Sequence, residues 1–307
     1  MGLETDLLLD RRRLKRRLFF WRGLTVAAVA LCALVVIGRN GLPGAHVARL
    51  TVSGIITEDR KTVEALAEVA RDDTAKAVLL VIDSPGGSVA GGESLHHALA
   101  RVAEKKPVVA VMTGLAASAG YMIAMPAERV FAREATLTGS IGVLLQTGEV
   151  SGLLSNLGVR TESIISGPLK DQPSFTHPLS EAGRAVLRGL VDDMYDQFVT
   201  IVARGRHMDP ARVRELGDGR AYTGRQALAL GLVDAIGGEA DARAWLESDK
   251  GLTKGLPVRD IERPGLAGRA FGDALQDGLA SIVKTVLFQG LKLDGAWALW
   301  QPASAGQ

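Results

Sequence analysis

Six consecutive apolar residues, Ala77–Ile82 (AVLLVI), run directly into Asp83-Ser84-Pro85-Gly86-Gly87. A strand with one face in water alternates apolar and polar side chains. A strand that is apolar at every position is buried on both faces, as in a parallel sheet covered by helices. The glycines that close the run leave bare backbone at the carboxyl end of that strand, where open α/β sheets gather their ligand chemistry.

The flanking segments obey the same pattern. Val47–Val52, Val108–Met112, Arg129–Ala132 and Arg160–Ile165 read as strands. Val63–Arg71 and Val89–Ala103 read as amphipathic helices, the second with Leu95, Leu99 and Val102 on one face. A helix starts near Ser118–Met125. Glu181–Arg206 is a long helix with Val186, Leu190, Met194, Phe198 and Ile201 at helical spacing, and short helices follow around Pro210–Leu216 and Gly224–Leu230. The β-α-β-α-β order predicts an α/β fold with a largely parallel sheet, and right-handed crossovers place helices on both of its faces.

The N-terminus carries a different signal. Residues 11–17 read RRRLKRR, and Leu18 to Ile37 is apolar except for Arg22, Gly23 and Thr25. Twenty residues at a helical rise of about 1.5 Å span roughly 30 Å, the thickness of a bilayer's hydrocarbon core. The sequence therefore predicts a single transmembrane helix over 18–38, in contact with lipid. The basic cluster before it puts residues 1–17 in the cytoplasm and the rest outside, in the periplasmic or extracytoplasmic space beyond the inner membrane. A cleaved secretory signal has a shorter apolar region, about 7–15 residues. Residues 39–46 then form a linker, 47–248 a globular domain, and 249–307 a C-terminal tail. In that tail Phe271, Leu275, Leu279, Ile282, Val283, Val286 and Leu287 trace one helical face.

Composition excludes several classes of function. Net charge is +2, from 36 basic and 34 acidic residues, which argues against a nucleic-acid partner. Cys32 is the only cysteine and lies in the apolar stretch, so no intrachain disulfide forms and no thiol serves the globular part. His46, His96, His97, His177 and His207 show no metal spacing and are assigned surface or packing roles. No metal or other cofactor is called for.

Three segments carry candidate chemistry. Ser118 lies in Ala116-Ala117-Ser118-Ala119-Gly120, where small neighbours let a substrate backbone approach its hydroxyl. A hydroxyl is a weak nucleophile until a base takes its proton. Gly86 and Gly87 offer backbone N–H groups for an oxyanion. Lys170, in Ser166-Gly167-Pro168-Leu169-Lys170-Asp171, is a candidate base. A lysine acts so only where an apolar setting favours its neutral form, and Asp171 beside it would oppose that if it pointed the same way. Taken singly, each piece has a plainer reading: a packing serine, a glycine turn, a solvated loop lysine. A Ser-His-Asp triad through His177 is the formal alternative.

In combination these segments resemble a known family. DSPGG, GLAASAGYMIA, TGSIGV, SGPLKD and DGRAYTGRQALALGLVDAIGG occur in this order, and the set resembles the signal peptide peptidase A family of bacterial membrane serine peptidases, over roughly Val47 to Ala244. The resemblance implies a layered fold like that of Clp protease and crotonase. It makes Ser118 the nucleophile and Lys170 the general base. It assigns the oxyanion hole to Gly86, Gly87 and the Ala119 N–H, and gives Ser140 the orienting of the lysine. The single catalytic unit is similar to the family's short form, in which serine and lysine come from neighbouring subunits of a homo-oligomeric ring. The implied substrates are apolar peptides, above all remnant signal peptides. Met122 departs from the family's usual aromatic. Rival readings on the same fold are a crotonase-type acyl-CoA enzyme and an inactive peptide-binding scaffold; a phage-type capsid maturation peptidase shares the motifs but needs no membrane span.

Overall fold

A computed structural model of the chain describes residues 17, 19–28, 31 and 44–261. The apolar run lies in strand β2 (Ala75–Gly87), flanked by β1 (His46–Ile56) and β3 (Val108–Ala117), both parallel to it. Leu80 pairs with Leu50 on one side and Ala110 on the other. Val78, Leu80 and Ile82 join one core with Leu50, Val52, Leu99, Val102 and Phe198, while Ala77, Leu79 and Val81 join a second with Val109, Val111, Phe131 and Leu246. The continuous apolar run is thus explained: each of the six side chains has a core to enter. Full burial of one Leu or Val stabilises by about 1.5–3 kcal/mol.

Short strands complete the sheet: β4 (Arg129–Ala132), β5 (Leu137–Gly139), β6 (Ala221–Thr223), β7 (Ala235–Ile236) and β8 (Val258–Asp260). The order is β6-β5-β3-β2-β1-β8, with β4 and β7 branching from β3. All pairs are parallel except β5 with β6. β3 serves two neighbours: Val109–Met112 pair with β4, and Leu115–Ala117 pair with β5.

The helices are α1 (Arg60–Val69), α2 (Val89–Ala103), α3 (Ala119–Met122), α4 (Ser151–Asn156), α5 (Glu181–Arg206), α6 (Pro210–Leu216), α7 (Gly224–Ala229) and α8 (Glu239–Ser248). Their starts are set by caps. Asp59 accepts the Lys61 and Thr62 N–H groups, and the Ser88, Ser180 and Asp209 side chains accept amides at the starts of α2, α5 and α6. The α5 bounds match the sequence reading because both ends are marked, by Ser180 and by His207 in the left-handed conformation at φ 52°.

Two readings are corrected. Arg160–Ile165 is not a strand: it is irregular and exposed, and Ile164 is 97% accessible. The segment has no neighbouring ladder to pair with, and an unpaired extended segment gains nothing from its β propensity. Residues beyond 248 are not all tail, because β8 pairs with β1 at Val47–Arg49 and Arg49 binds Asp260 through both carboxylate oxygens, at 2.7 and 3.0 Å. Residues 19–28 are helical, and among the described residues no helix is long and apolar enough to cross a membrane. Most of the remaining 18–38 span, and the amphipathic stretch after Ile261, lie outside the described residues.

Candidate active site

The site begins with an irregularity in β2. Its ladder to β1 shifts between Ser53 and Ile55, and its ladder to β3 shifts between Ile82 and Ser84. The fully buried Ser84 hydroxyl bridges the first gap: it donates to the Gly54 carbonyl at 2.6 Å and accepts the Gly86 N–H at 3.1 Å. Ser88 N–H donates to the Ile56 carbonyl at 2.9 Å. The Gly86 amide is thus committed to Ser84 and the Ser88 amide to β1. Of the two glycines expected to hold an oxyanion, Gly86 has its amide engaged and Gly87 does not share that partner.

Gly86 has another role. At φ +109° it occupies backbone space open to glycine, and a Cβ there would lie 2.8 Å from Ser118 Cβ, 3.0 Å from the Ala117 carbonyl oxygen and 3.1 Å from the Ala119 nitrogen. The DSPGG segment is therefore pressed directly onto the serine loop.

Ser118 leaves the end of β3 at φ 54°, ψ −122° and is half-buried at the start of α3. Its N–H donates to the Gly139 carbonyl at 2.9 Å, and its carbonyl accepts the Tyr121 and Met122 amides at 2.8 and 2.9 Å. A left-handed residue with a side chain costs roughly 1–2 kcal/mol, so these contacts must over-determine the turn. Ser140 leaves β5 in the same way, at φ 49°, with its N–H donated to the Arg220 carbonyl at 2.9 Å. Tyr121, fully buried behind α3, donates its hydroxyl to the Leu232 carbonyl at 2.7 Å, and burial pushes the phenol well above its ordinary value.

Ser118, Ser140, Gly87 and Pro85 face an open groove of about 740 Å³. Val143 and Leu144 form part of one wall. Arg188, Val191, Asp192 and Tyr195 of α5 form another, and Gly217–Gly219 close the rim. Tyr195 donates its hydroxyl to the Gly217 carbonyl at 2.8 Å, tying helix to rim. Sequence reasoning missed this helical wall, although the polar positions of α5 were its available signal.

Lys170 stands apart. It lies in an exposed turn, its amide donated to the Gly167 carbonyl at 3.0 Å, and it does not line the groove of its own chain. Asp171 is occupied elsewhere: it accepts the Ser163 hydroxyl at 2.8 Å and lies 3.8 Å from His177 Nδ1. His177 also meets the Thr176 hydroxyl at 3.1 Å and, like Lys170, does not line the groove that holds Ser118. One chain thus brings together Ser118, Gly86, Gly87, Ala119 and Ser140 and leaves Lys170 outside. Among the described residues no cluster of His, Cys, Asp or Glu is arranged to hold a metal ion.

Residues 100–253 match Peptidase family S49. A Synechocystis sp. protein provisionally named a protease is 42% identical over 207 residues, covering 67% of this chain and 75% of that one. An Enterococcus faecium protein provisionally named a signal peptide peptidase is 37% identical over 229 residues, covering 70% and 67%. Protease 4 of Salmonella typhi is 38% identical over 184 residues, covering 60% of this chain and 30% of that one. The chain therefore belongs to Peptidase family S49, among the serine peptidases of the signal peptide peptidase A type.

Proposed function

We propose that this chain is a membrane-anchored serine endopeptidase that hydrolyses apolar peptides, remnant signal peptides among them, with a Ser118–Lys170 dyad completed between neighbouring copies. The observation that carries the reading is Ser118 itself, a left-handed serine at the floor of a groove with the Gly86 backbone pressed against it.

In the first step a neutral Lys170 amine takes the Ser118 proton as the oxygen attacks the scissile carbonyl. The Gly87 and Ala119 N–H groups receive the oxyanion; each such donor is worth about 2.7–4 kcal/mol of barrier. The lysine ammonium then passes its proton to the departing amine, and an acyl ester on Ser118 remains. Water attacks that ester with Lys170 again as base, which releases the acid and restores the serine. The Ser140 hydroxyl shares the groove and orients the incoming amine.

Lys170 is exposed and lies outside the groove of its own chain, so the dyad needs a second copy. Its segment also displays apolar side chains to solvent: Leu153, Leu157, Ile164 and Phe175 are each at least 59% accessible. Burying that surface against a second copy in a ring supplies the dry setting that the amine needs. The basic cluster 11–17 and the apolar run after it support an inner-membrane anchor with the groove outside the cytoplasm. An anchored groove with Val143, Leu144 and Val191 in its walls suits substrates that leave the bilayer.

The test is complementation between two dead variants. Ser118→Ala and Lys170→Ala should each abolish cleavage of a fluorogenic apolar peptide, and mixing them under subunit exchange should restore part of it. Turnover by Ser118→Ala alone would remove the serine from the mechanism, and no recovery on mixing would confine the dyad to one chain.

A further inference from the structure

We propose that His96 is a positioning residue for the nucleophile: it holds the short helix α3 in place through the Met122 carbonyl and so fixes Ser118 and the Ala119 amide. This inference rests on Ser118 being the nucleophile.

The argument starts from how little holds α3 by itself. It has four residues, too few for a self-supporting ladder, since helix nucleation is unfavourable until further turns are added. Its position must come from its surroundings. On one side Tyr121 donates to the Leu232 carbonyl. On the other lies α2, and there the two helices pack closely at a glycine. A Cβ on Gly92 would lie 2.9 Å from Ala119 Cβ and 3.2 Å from the Met122 sulfur. One turn along the same face, His96 places Nδ1 3.2 Å from the Met122 carbonyl oxygen.

Met122 then transmits the contact. Its own N–H donates to the Ser118 carbonyl at 2.9 Å, so a single residue links the imidazole to the serine loop. The carbonyl can only accept, so the bond requires the proton on Nδ1. The ring is half-buried, and burial favours its neutral form. His97 does not duplicate the role: it is exposed and faces Glu93, 3.5 Å away. Of the two adjacent histidines, only His96 reaches the backbone of the serine helix.

Steady-state cleavage of a fluorogenic apolar peptide by the full-length protein, with fluorophosphonate labelling of Ser118, reads this out. His96→Leu should lower kcat and the labelling rate by the same factor, about tenfold for one oriented hydrogen bond, with KM within about twofold. His96→Asn puts an amide N–H near the Nδ1 position and should recover most of both. Should His96→Leu not fold, His96→Gln, whose amide falls nearer the Nε2 position, takes its place. Unchanged kcat and labelling in His96→Leu would overturn the proposal. So would an Asn variant as slow as Leu, which would make the ring a matter of packing. Turnover by Ser118→Ala is the separate outcome that would overturn the serine reading instead.

Discussion

Ser118 and Ser140 are consecutive exits from the same sheet. Each follows one member of the register pair Ala117↔Gly139, the Ser118 N–H donates to the Gly139 carbonyl at 2.9 Å, and both serines take left-handed φ, 54° and 49°. Two non-glycine residues in that region, side by side at the carboxyl end of a sheet, store strain that packing alone does not require. The common departure turns both hydroxyls into one groove.

Ser140→Ala removes the hydroxyl but leaves the amide bond to Arg220 and the Ser118 contact to Gly139 intact. The fold should therefore persist. If Ser140 orients the base, the loss of alignment should cost on the order of 10²-fold in kcat, the scale of a misplaced reacting group. Kinetics together with a thermal melt check this. A wild-type kcat would take Ser140 out of the chemistry.

Gly86→Ala should disrupt the site directly. The new Cβ would lie 2.8 Å from Ser118 Cβ at φ +109°, so the DSPGG segment or the serine loop must shift. Lost fluorophosphonate labelling and a lower melting temperature are expected. Gly148→Ala, where a Cβ meets nothing within 4 Å, is the control and should leave both unchanged.

What was legible in the sequence follows from where the forces are local. β1, β2 and β3 were readable because their side chains enter a core on each face, and α5 because Ser180 and His207 mark its ends. β5 to β8 have two or three residues each, too few to show a period. Arg160–Ile165 had a strand-like composition without a neighbour. The family motifs located Ser118, Gly86 and Gly87, yet which glycine has a committed amide depends on the Ser84 hydroxyl bridging a register shift. His96 was unreadable because its partner is a backbone carbonyl 26 residues away. The distance between Lys170 and Ser118 is no property of one chain if the site is shared.

Thermal stability should fall as the medium is acidified below neutrality, and His96 sets part of that slope. Burial lowers its affinity for a proton in the folded state. The unfolded chain takes that proton near the ordinary value of 6.5. Below it the unfolded state binds more protons, so stability declines as pH falls. The contribution is whole above 6.5. Melting temperatures measured down from pH 7.5 should show a shallower decline in His96→Asn than in the wild type; parallel curves would assign the slope to other groups.

A second acid limb should come from the ion pair beneath α3. Arg206 has a side chain only 8% exposed and donates to both carboxylate oxygens of Asp234, at 2.9 and 2.7 Å, while its Nε donates to the Gly231 carbonyl. Asp234 in turn accepts the Val130 N–H at 2.8 Å, which ties α5 to β4 behind the Tyr121 anchor. Burial is the largest single influence on the Asp234 carboxyl and would raise it, but the Arg206 hydrogen bonds and charge, the Val130 N–H and the Arg129 charge together hold the group below its ordinary 3.8. A depressed carboxylate stabilises the fold above its unfolded value, and that stability is lost as pH falls through the folded one. Arg206→Met leaves a half-buried carboxylate without its cation. It should cost about 1.5–3 kcal/mol at neutral pH, and it should flatten the loss of stability below about pH 4, because Asp234 no longer has a lowered value to defend. Denaturant titrations at pH 7 and pH 3 measure both terms. If the difference between variant and wild type were the same at the two values, the pair would be a packing contact with no electrostatic share in the stability of the helix that carries Ser118.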